Sequence, residues 1–222
     1  MLAETLINHS IPALRPSDTV GKALDLMQDF NLSQLVYVDN EQVKAVFDQD
    51  NLLNWQDDSV TLGELPLENK ATNAHAYQHI QELAGLAVDE SLQIIPILDE
   101  ENLYAGSVVV SEMLRQFSKQ MNNQEIGAIL VIKVSQINYS LAEISRLIES
   151  NNIKIINSYF SSNHLGFEED STLTLKLNKT DVSAAIATLE RFGYSIEGVY
   201  GHTPIESIDQ HRLNHLLRYL ET

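Results

Sequence analysis

The sequence predicts an α+β protein in which two β-α-β-β-α repeats form one module, followed by a βαββαβ plait and a C-terminal helix. The first observation is an internal repeat, because the apolar run from Val36 to Asp39 returns about sixty residues later as the run from Pro96 to Asp99. The second is a change of pattern after residue 126, where strands and helices alternate in another order. The third is an apolar stripe at helical spacing in the last segment. Two repeats of this size are expected to share one core.

Each repeat contains an amphipathic helix, then two short apolar strands and a second helix. The amphipathic helices carry apolar residues at helical spacing, namely Val20, Ala23, Leu24 and Met27 in the first repeat and Tyr77, Ile80, Leu83 and Ala84 in the second. The repeats are predicted to span residues 1–58 and 59–120. A polar stretch at 118–125 follows and marks the boundary to the next domain.

The third segment, residues 125–201, predicts the plait. Its first strand, 127–134, has too many apolar residues for one wet face and is therefore expected to lie in the middle of its sheet. The next helix, 140–150, starts at a capping box formed by Ser140 and Glu143. Its apolar face is formed by Leu141, Ile144, Leu147 and Ile148. The remaining elements are strands at 153–160 and 171–177, a helix from the N-cap Asp181 to Gly193, and a strand at 194–200.

The last segment, residues 204–222, predicts an amphipathic helix. Six apolar residues lie on one stripe of it: Ile205, Ile208, Leu213, Leu216, Leu217 and Leu220. Such a stripe must be buried, so the helix either folds back on the sheet of the plait or packs against a partner chain.

The composition predicts a cytoplasmic protein that binds neither nucleic acid nor membrane. The 222 residues carry a formal net charge of -17, so the long-range field repels phosphate backbones and anionic membrane surfaces. There is no cysteine, which excludes disulfides and thiolate chemistry. The amino terminus has no signal-peptide pattern, and no apolar run approaches the roughly twenty residues that span a bilayer.

No enzymatic motif is present, and no catalytic residue is predicted. The sequence has neither a Gly-x-Ser-x-Gly elbow nor a Gly-rich phosphate loop. Two histidine pairs with a spacing of four, His75 with His79 and His211 with His215, raise the alternative of a metal site. Solvated polar helix faces are the favoured interpretation of both pairs, because no third ligand is specified, and no metal is predicted.

The first two segments resemble a tandem pair of CBS domains, a family named after cystathionine β-synthase. Pro12, the run from Ser17 to Val20, the pair Ala23 and Leu24, and Met27 match the entry strand and first helix of the family pattern. Residues 127–200 resemble an ACT domain, which implies a ferredoxin-like plait. The order CBS-CBS-ACT is similar to that of the acetoin-utilisation AcuB group of bacterial proteins. This resemblance implies a regulatory protein that forms a homodimer through its CBS helices.

The resemblance also implies two ligand clefts. In CBS pairs that bind adenine nucleotides, a small residue is followed three positions later by a hydroxyl residue near the phosphate, and six positions later by an aspartate that holds the ribose. The corresponding residues in this sequence are Ala45, Asp48 and Asn51 in the first repeat, and Gly106, Val109 and Glu112 in the second. Neither repeat keeps the pattern.

These departures predict altered ligand preference. Asp48 would repel a phosphate, and Val109 has neither donor nor acceptor, whereas Asn51 and Glu112 can still accept bonds from a ribose. Binding of AMP or ATP is therefore expected to be weakened, and an uncharged or cationic adenosine compound such as S-adenosylmethionine suits Asp48 better. Phe47 and Trp55 could line a pocket, but core packing or a dimer contact is the favoured use.

The ACT-like segment departs from its family in the same direction. Amino-acid-binding members carry an Asp-x-Pro-Gly-x-Leu turn, and the matching stretch in this sequence runs from Gln136 through Asn138 to Leu141. Tyr139 replaces the glycine that would let a ligand approach the backbone. Its ring is expected to fill or reshape the pocket, so Gln136, Asn138 and Tyr139 form a degenerate site.

Two functions remain open from the sequence. One is a non-catalytic homodimeric regulator in which an adenosine-type ligand binds between the CBS repeats, shifts the arrangement of the dimer and is sensed by the ACT-like domain. The other is a ligand-free scaffold whose clefts and turn have lost their ligands and which only dimerises and docks a partner. The sequence names neither the effector nor the regulated target.

Overall fold

The computed structural model describes residues 1–55, 57–67, 71–121, 124–135, 139–162 and 170–201. The chain divides into two compact units, Met1–Phe117 and Ser118–Thr222. The first unit holds both repeats and the second holds the plait, so the predicted α+β class is confirmed. Within these ranges no helix has the length and apolar character needed to cross a lipid bilayer.

The first repeat consists of α1 (Val20–Phe30), β1 (Gln34–Asp39), β2 (Gln42–Asp48) and the short α2 (Gln49–Leu53). Helix α1 begins where Thr19 Oγ1 accepts a hydrogen bond of 3.2 Å from the backbone N–H of Lys22. It ends at Asn31, whose left-handed backbone (φ 52°) closes the last turn. The entry strand is reduced to one parallel bridge between Leu14 and Tyr37. The sheet of this repeat is therefore the antiparallel pair β1 and β2.

The second repeat consists of β3 (Ala74–His75), α3 (Ile80–Asp89), β4 (Ile94–Leu98), β5 (Tyr104–Val109) and α4 (Val110–Gln120). Helix α3 starts at Ile80, and the predicted helical residue Tyr77 lies before it with 64% of its surface exposed. The reason is a cap at His79, whose backbone N–H donates to Glu82 Oε1 at 2.9 Å. His75 lies on β3, so the interpretation of His75 and His79 as two positions on one helix face is wrong.

Strand pairing in the two repeats follows the same register. Tyr37 pairs with Ala45, and Ile97, 60 positions after Tyr37, pairs with Gly106, 61 positions after Ala45. The register shifts directly after Tyr37 and directly after Ile97, so even the bulge is repeated. The residues that end the second strand of each pair are therefore equivalent: Asp48 and Val109.

The repeats exchange the segments that precede them. Leu62 donates its backbone N–H to the carbonyl of Asp18 in the first repeat at 2.8 Å. Ala3 makes the equivalent bond to Gln78 in the second repeat at 2.9 Å. Leu62 and Ala3 are both completely buried. Each helical start is thus covered by the segment that leads into the other repeat, which interlocks the two repeats as one module.

Two apolar clusters, and not one shared core, fill this module. The first surrounds α1, β1 and β2, and the second surrounds α3, β4 and β5. Ile94 and Val109 come from the second repeat but pack in the first cluster. The expectation of a single core is wrong, because each repeat buries the exchanged segment in a cluster of its own: Leu62 in the first and Ala3 in the second.

The second unit is a ferredoxin-like plait. Its elements are β6 (Ile129–Ser135), α5 (Leu141–Glu149), β7 (Ile155–Ser162), β8 (Asp170–Leu177), α6 (Ser183–Arg191) and β9 (Ser195–Tyr200). The sheet order is β7-β8-β6-β9, with every pair antiparallel. Strand β6 is central, as predicted, and it buries Leu130 and Ile132 while Lys133 stays exposed.

Several details of the plait differ from the prediction. Leu141 starts α5 with 41% of its surface exposed, so it lies outside the buried face. Val182 occupies the N-cap of α6, while Asp181 Oδ1 accepts a bond of 3.1 Å from the backbone N–H of Ser183. Gly193 follows α6 with φ 89°, as predicted for a terminating glycine. The predicted helix at 204–222 lies outside the described residues.

Candidate functional site

A cavity of about 470 Å³ lies in the first repeat, where β2 runs into α2. Side chains of β2 and α2 form one part of its lining, and residues of the exchanged segment at 65–67 form another. Asp48 and Asn51, two residues that the sequence assigns to the first cleft, both line it. The structure therefore brings these two residues together around one space.

Asp48 lies on the cavity wall because it ends β2 and caps α2. Its Oδ1 accepts a hydrogen bond of 2.9 Å from the backbone N–H of Asp50. Its Oδ2 accepts a bond of 3.4 Å from Nε2 of Gln34, the residue paired with Asp48 across the β1–β2 ladder. Asn51 follows three positions later and so lies on the same side of α2. The local backbone thus presents a carboxylate and an amide to the same space.

Aromatic and apolar side chains complete the lining. Phe47 is 9% exposed and meets the ring of Tyr37 edge to face at a centroid distance of 5.3 Å. Trp55 keeps 40% of its surface exposed at the cavity, and Leu67 keeps 46%. Phe47 therefore belongs to a packed aromatic core, while Trp55 and Leu67 leave surface that is accessible to a ligand.

In the described lining of this cavity, charge comes from one residue. Among the described residues that line it, Asp48 is the one with an ionisable side chain, and none is basic. Asn51 and Asn54 add amide groups that can both donate and accept hydrogen bonds. The cavity can thus take a small molecule with an aromatic part and several hydroxyl or amino groups.

The cleft of the second repeat is lined differently. Gly106 has φ 147°, and a Cβ at this position would overlap Cγ2 of Ile7. The backbone N–H of Asn8 donates to the carbonyl of Ser107 at 2.8 Å, and Asn8 Nδ2 donates to Glu112 Oε2 at 3.3 Å. The amino-terminal segment is therefore fastened across this cleft and engages the carboxylate that the sequence assigns to the ribose.

Val109 has a separate place. It is 9% exposed and packs in the first apolar cluster. The four predicted cleft residues thus fall into three surroundings: Asp48 and Asn51 at the cavity, Glu112 bound to Asn8, and Val109 in the core.

In the plait, the ring of Tyr139 stacks on Phe160 at a centroid distance of 5.3 Å and an angle of 11°. Tyr139 is half-buried against the apolar cluster of this unit. The other two predicted turn residues, Gln136 and Asn138, lie outside the described residues. The Tyr139 ring thus occupies a packed position on the helical side of β7.

Tyr194 is also tied down in this unit. Its hydroxyl donates a hydrogen bond of 2.7 Å to Glu143 Oε2. Partial burial, together with the hydrogen bond and negative charge of Glu143, raises the pKa of Tyr194 to about 12. This bond links the residue that precedes β9 to α5, so it holds this helix near one edge of the sheet.

Sequence reasoning did not assign Trp55 to the site. Core packing or a dimer contact was favoured for Phe47 and Trp55, and Phe47 does lie in the core. Trp55, however, lines the cavity, and its position four residues after Asn51 was the available signal. No sequence pattern indicated that Asn54 and residues 65–67 line the cavity, because this part of the lining forms only when the exchanged segment packs against the first repeat.

Of the histidines that suggested a metal, His75 and His79 are described, and both have other contacts. The His75 ring stacks on Tyr77 at 5.2 Å, and Nδ1 of His79 accepts a hydrogen bond of 3.4 Å from the backbone N–H of Gln81. Over the part of the chain that the structure describes, no three metal-ligating side chains come together. His211 and His215 lie outside that part.

Residues 3–58 match the model of the CBS domain family. A CBS domain pair/ACT domain protein from Thermotoga maritima is 18% identical, with a TM-score of 0.49, 54% of this chain covered and 98% of that chain. The CBS domains of a transcriptional regulator from Streptococcus pneumoniae are 18% identical, with a TM-score of 0.46 and coverage of 52% and 98%. CBSX2 in complex with AMP is 14% identical, with a TM-score of 0.45 and coverage of 53% and 96%.

The family match covers the first repeat, which holds the cavity. The second repeat has the same strand register and the same exchanged hydrogen bonds. Together these findings support a CBS domain pair.

Proposed function

We propose that this chain is a non-catalytic regulatory protein whose CBS pair binds an adenosine-type small molecule in the cavity of the first repeat. The observation that carries the proposal is the cavity of about 470 Å³ with Asp48 and Asn51 in its lining. Its volume falls in the range of about 300–1,000 Å³ that is usual for small-molecule sites. The CBS match of residues 3–58 supports the same use.

The lining suits a nucleoside. Trp55 offers an exposed aromatic face on which a base can stack. Asn51 and Asn54 have amides that can satisfy the edge of a base or the hydroxyls of a ribose. The Asp48 carboxylate is a strong acceptor for ribose hydroxyls.

We assign the ligand to the first cleft because the second has an internal partner. Glu112 already accepts a bond from Asn8, and Ile7 lies against Gly106. A ligand in the second cleft would have to displace these contacts. The proposal is therefore a single ligand molecule per chain.

A homodimer is part of the proposal. Leu53 on α2 and Leu114 on α4 occupy equivalent positions of the two repeats, and they are 59% and 62% exposed. Exposed leucines repeated on two helices favour a partner surface. A ligand that prefers one arrangement of the dimer would shift its population, and the plait would serve as the unit that reports the shift to a target.

A scaffold without ligand is the second candidate. It is favoured by two observations: Glu112 is engaged by Asn8, and Tyr139 is stacked on Phe160. On this account the cavity of the first repeat is an empty remnant, and the protein acts through dimerisation and partner docking. The difference between the two functions is therefore whether the cavity binds anything.

Thermal unfolding in the presence of adenosine, AMP, ATP, S-adenosylmethionine and the amino acids separates the two functions. A ligand at a hundred times its Kd should add about 2.7 kcal/mol to the free energy of unfolding. We expect the response to be lost in Asn51→Ala and kept in Glu112→Ala, which changes the equivalent position of the other repeat. If the response is lost in Glu112→Ala and kept in Asn51→Ala, the ligand binds in the second cleft. No response to any compound from the folded protein would support the scaffold.

A further inference from the structure

The charges of the cavity point to the kind of ligand that it accepts. Its described lining contains one carboxylate, at Asp48, and no basic side chain. A phosphate monoester carries about two negative charges at neutral pH. Placed in this cavity it would meet the charge of Asp48 with no cation among the described lining residues to compensate, in a chain whose formal net charge is -17.

The Asp48 carboxylate has neutral hydrogen-bond partners in the described part of the structure. It accepts hydrogen bonds from the neutral backbone of Asp50 and the neutral amide of Gln34. Among the described residues no lysine, arginine or histidine forms an ion pair with it. A carboxylate has about four lone-pair positions, so acceptor capacity remains for a ligand. A positive group in the cavity would therefore meet a carboxylate that has no ion pair among the described residues.

The aromatic lining has the same preference. Trp55 is 40% exposed and lines the cavity together with Asn51, one helical turn away. An indole face stacks on flat heterocycles and also attracts cations through its quadrupole. Phe47 forms part of the floor and is held by Tyr37. Both the charge and the aromatic surface thus favour a ring system that is neutral or positive.

We propose that the cavity of the first repeat is a charge-selective site for a neutral or cationic heteroaromatic ligand, in which Asp48 excludes phosphorylated compounds and Trp55 is the stacking surface. This inference rests on the proposed function, because it requires that the cavity binds a ligand. It adds the chemical class of that ligand and the residue that discriminates between classes.

A ladder of adenosine compounds tests the selectivity in the full chain. The probes share the adenosine part and differ in charge: S-adenosylmethionine is positive, adenosine and S-adenosylhomocysteine are neutral overall, and AMP is negative. Affinities are measured by calorimetry and by the fluorescence of Trp55, the single tryptophan of the sequence. We expect S-adenosylmethionine to bind at least as tightly as the neutral compounds and AMP to bind most weakly.

Two matched variants identify the selecting charge. Asp48→Asn keeps a good helix cap and removes the charge. It should therefore lower the affinity for S-adenosylmethionine and raise the affinity for AMP, each by about tenfold. Asp50→Asn removes the same charge two positions later, at an exposed residue of α2 that does not line the cavity, and should change the affinity for neither compound. Trp55→Ala should weaken every probe by roughly ten- to a hundredfold, as expected for loss of a stacked base.

The outcomes separate this inference from the proposed function. If AMP and adenosine bind equally and Asp48→Asn changes neither, charge selection is overturned while ligand binding stands. If Asp50→Asn has the same effect as Asp48→Asn, the selectivity comes from net charge and not from the cavity, and the assignment of Asp48 is also overturned. If no probe binds, the ligand-binding function itself fails.

Discussion

At the scale of single residues, the caps and the cleft positions were readable from the sequence. Ser140 Oγ caps α5 by accepting a hydrogen bond of 3.2 Å from the backbone N–H of Glu143, which is one of the two bonds of the predicted capping box, and Glu143 Oε2 accepts a bond from Tyr194. Asp48 and Asn51 reach one cavity because the end of a strand and the first turn of a helix are set by local chemistry. Whether such a position faces open space or a filled cleft depends on contacts that are distant in the chain.

Gly106 and Gly85 provide a matched pair of glycine substitutions. Gly106→Ala should destabilise the protein by about 1–3 kcal/mol, because φ is 147° and the new methyl overlaps Ile7. Gly85→Ala, in the exposed interior of α3 with no atom within 4 Å of the new Cβ, should stabilise by about 0.5–1 kcal/mol. Urea unfolding measures both. Equal stability of the two variants would contradict the close contact of Ile7 with Gly106.

Tyr194 gives a prediction about alkaline pH. Its pKa is raised to about 12 by burial and Glu143, while an unfolded tyrosine titrates near about 10. Folding therefore favours the neutral phenol, and this stabilisation is complete below about pH 10 and is lost as the pH rises through about 12. In Tyr194→Phe, the free energy of unfolding measured with urea should fall less steeply as the pH rises from about 10 to about 12. An unchanged slope would show that Tyr194 titrates normally in the folded protein.

At the scale of elements, helices with a strong apolar period were predicted best. The spacing of Val20, Ala23 and Met27 predicted α1, and all three side chains are buried. The pattern failed at Tyr77, because the His79 cap fixes the helix start more strongly than an apolar residue one turn earlier. The predicted entry strand is only a single bridge at Leu14 in the structure, since pairing with one neighbouring strand supplies few hydrogen bonds.

The exchanged segment could not be predicted, because its partners are far away in sequence. Leu62 is completely buried in the first repeat's cluster, although it follows that repeat. Leu62→Ala should therefore lower the free energy of unfolding by about 2–5 kcal/mol. Leu67→Ala, at 46% exposure in the same segment, should change it by less than about 1 kcal/mol. Similar effects of both would contradict the placement of Leu62.

At the scale of the whole molecule, the two repeats make one module, and the plait makes a second unit. The internal repeat in the sequence was sufficient to predict the first, and the element order was sufficient to predict the second. The sequence pattern did not predict that the two clefts differ in whether their lining residues are already bound within the protein. That difference arises from the amino-terminal segment, where Asn8 bonds to Glu112.

The proposed dimer makes a prediction at this scale. Replacing Leu114, which is 62% exposed, by Asp should weaken association by roughly 2 kcal/mol, as expected for the loss of a buried leucine. Light scattering should then show monomer at concentrations where the natural protein is dimeric. Leu114→Met keeps an apolar surface and should remain dimeric. A dimer that survives Leu114→Asp would place the interface elsewhere.

The most direct measurement is a calorimetric titration of the full chain with adenosine, which carries no charge. We expect a single molecule bound per chain, with binding lost in Asn51→Ala and retained in Glu112→Ala. Two molecules per chain would show that the segment at Ile7 and Asn8 does not close the second cleft. Absence of heat from the folded protein, with S-adenosylmethionine equally silent, would contradict the central claim that the first repeat's cavity is a ligand site.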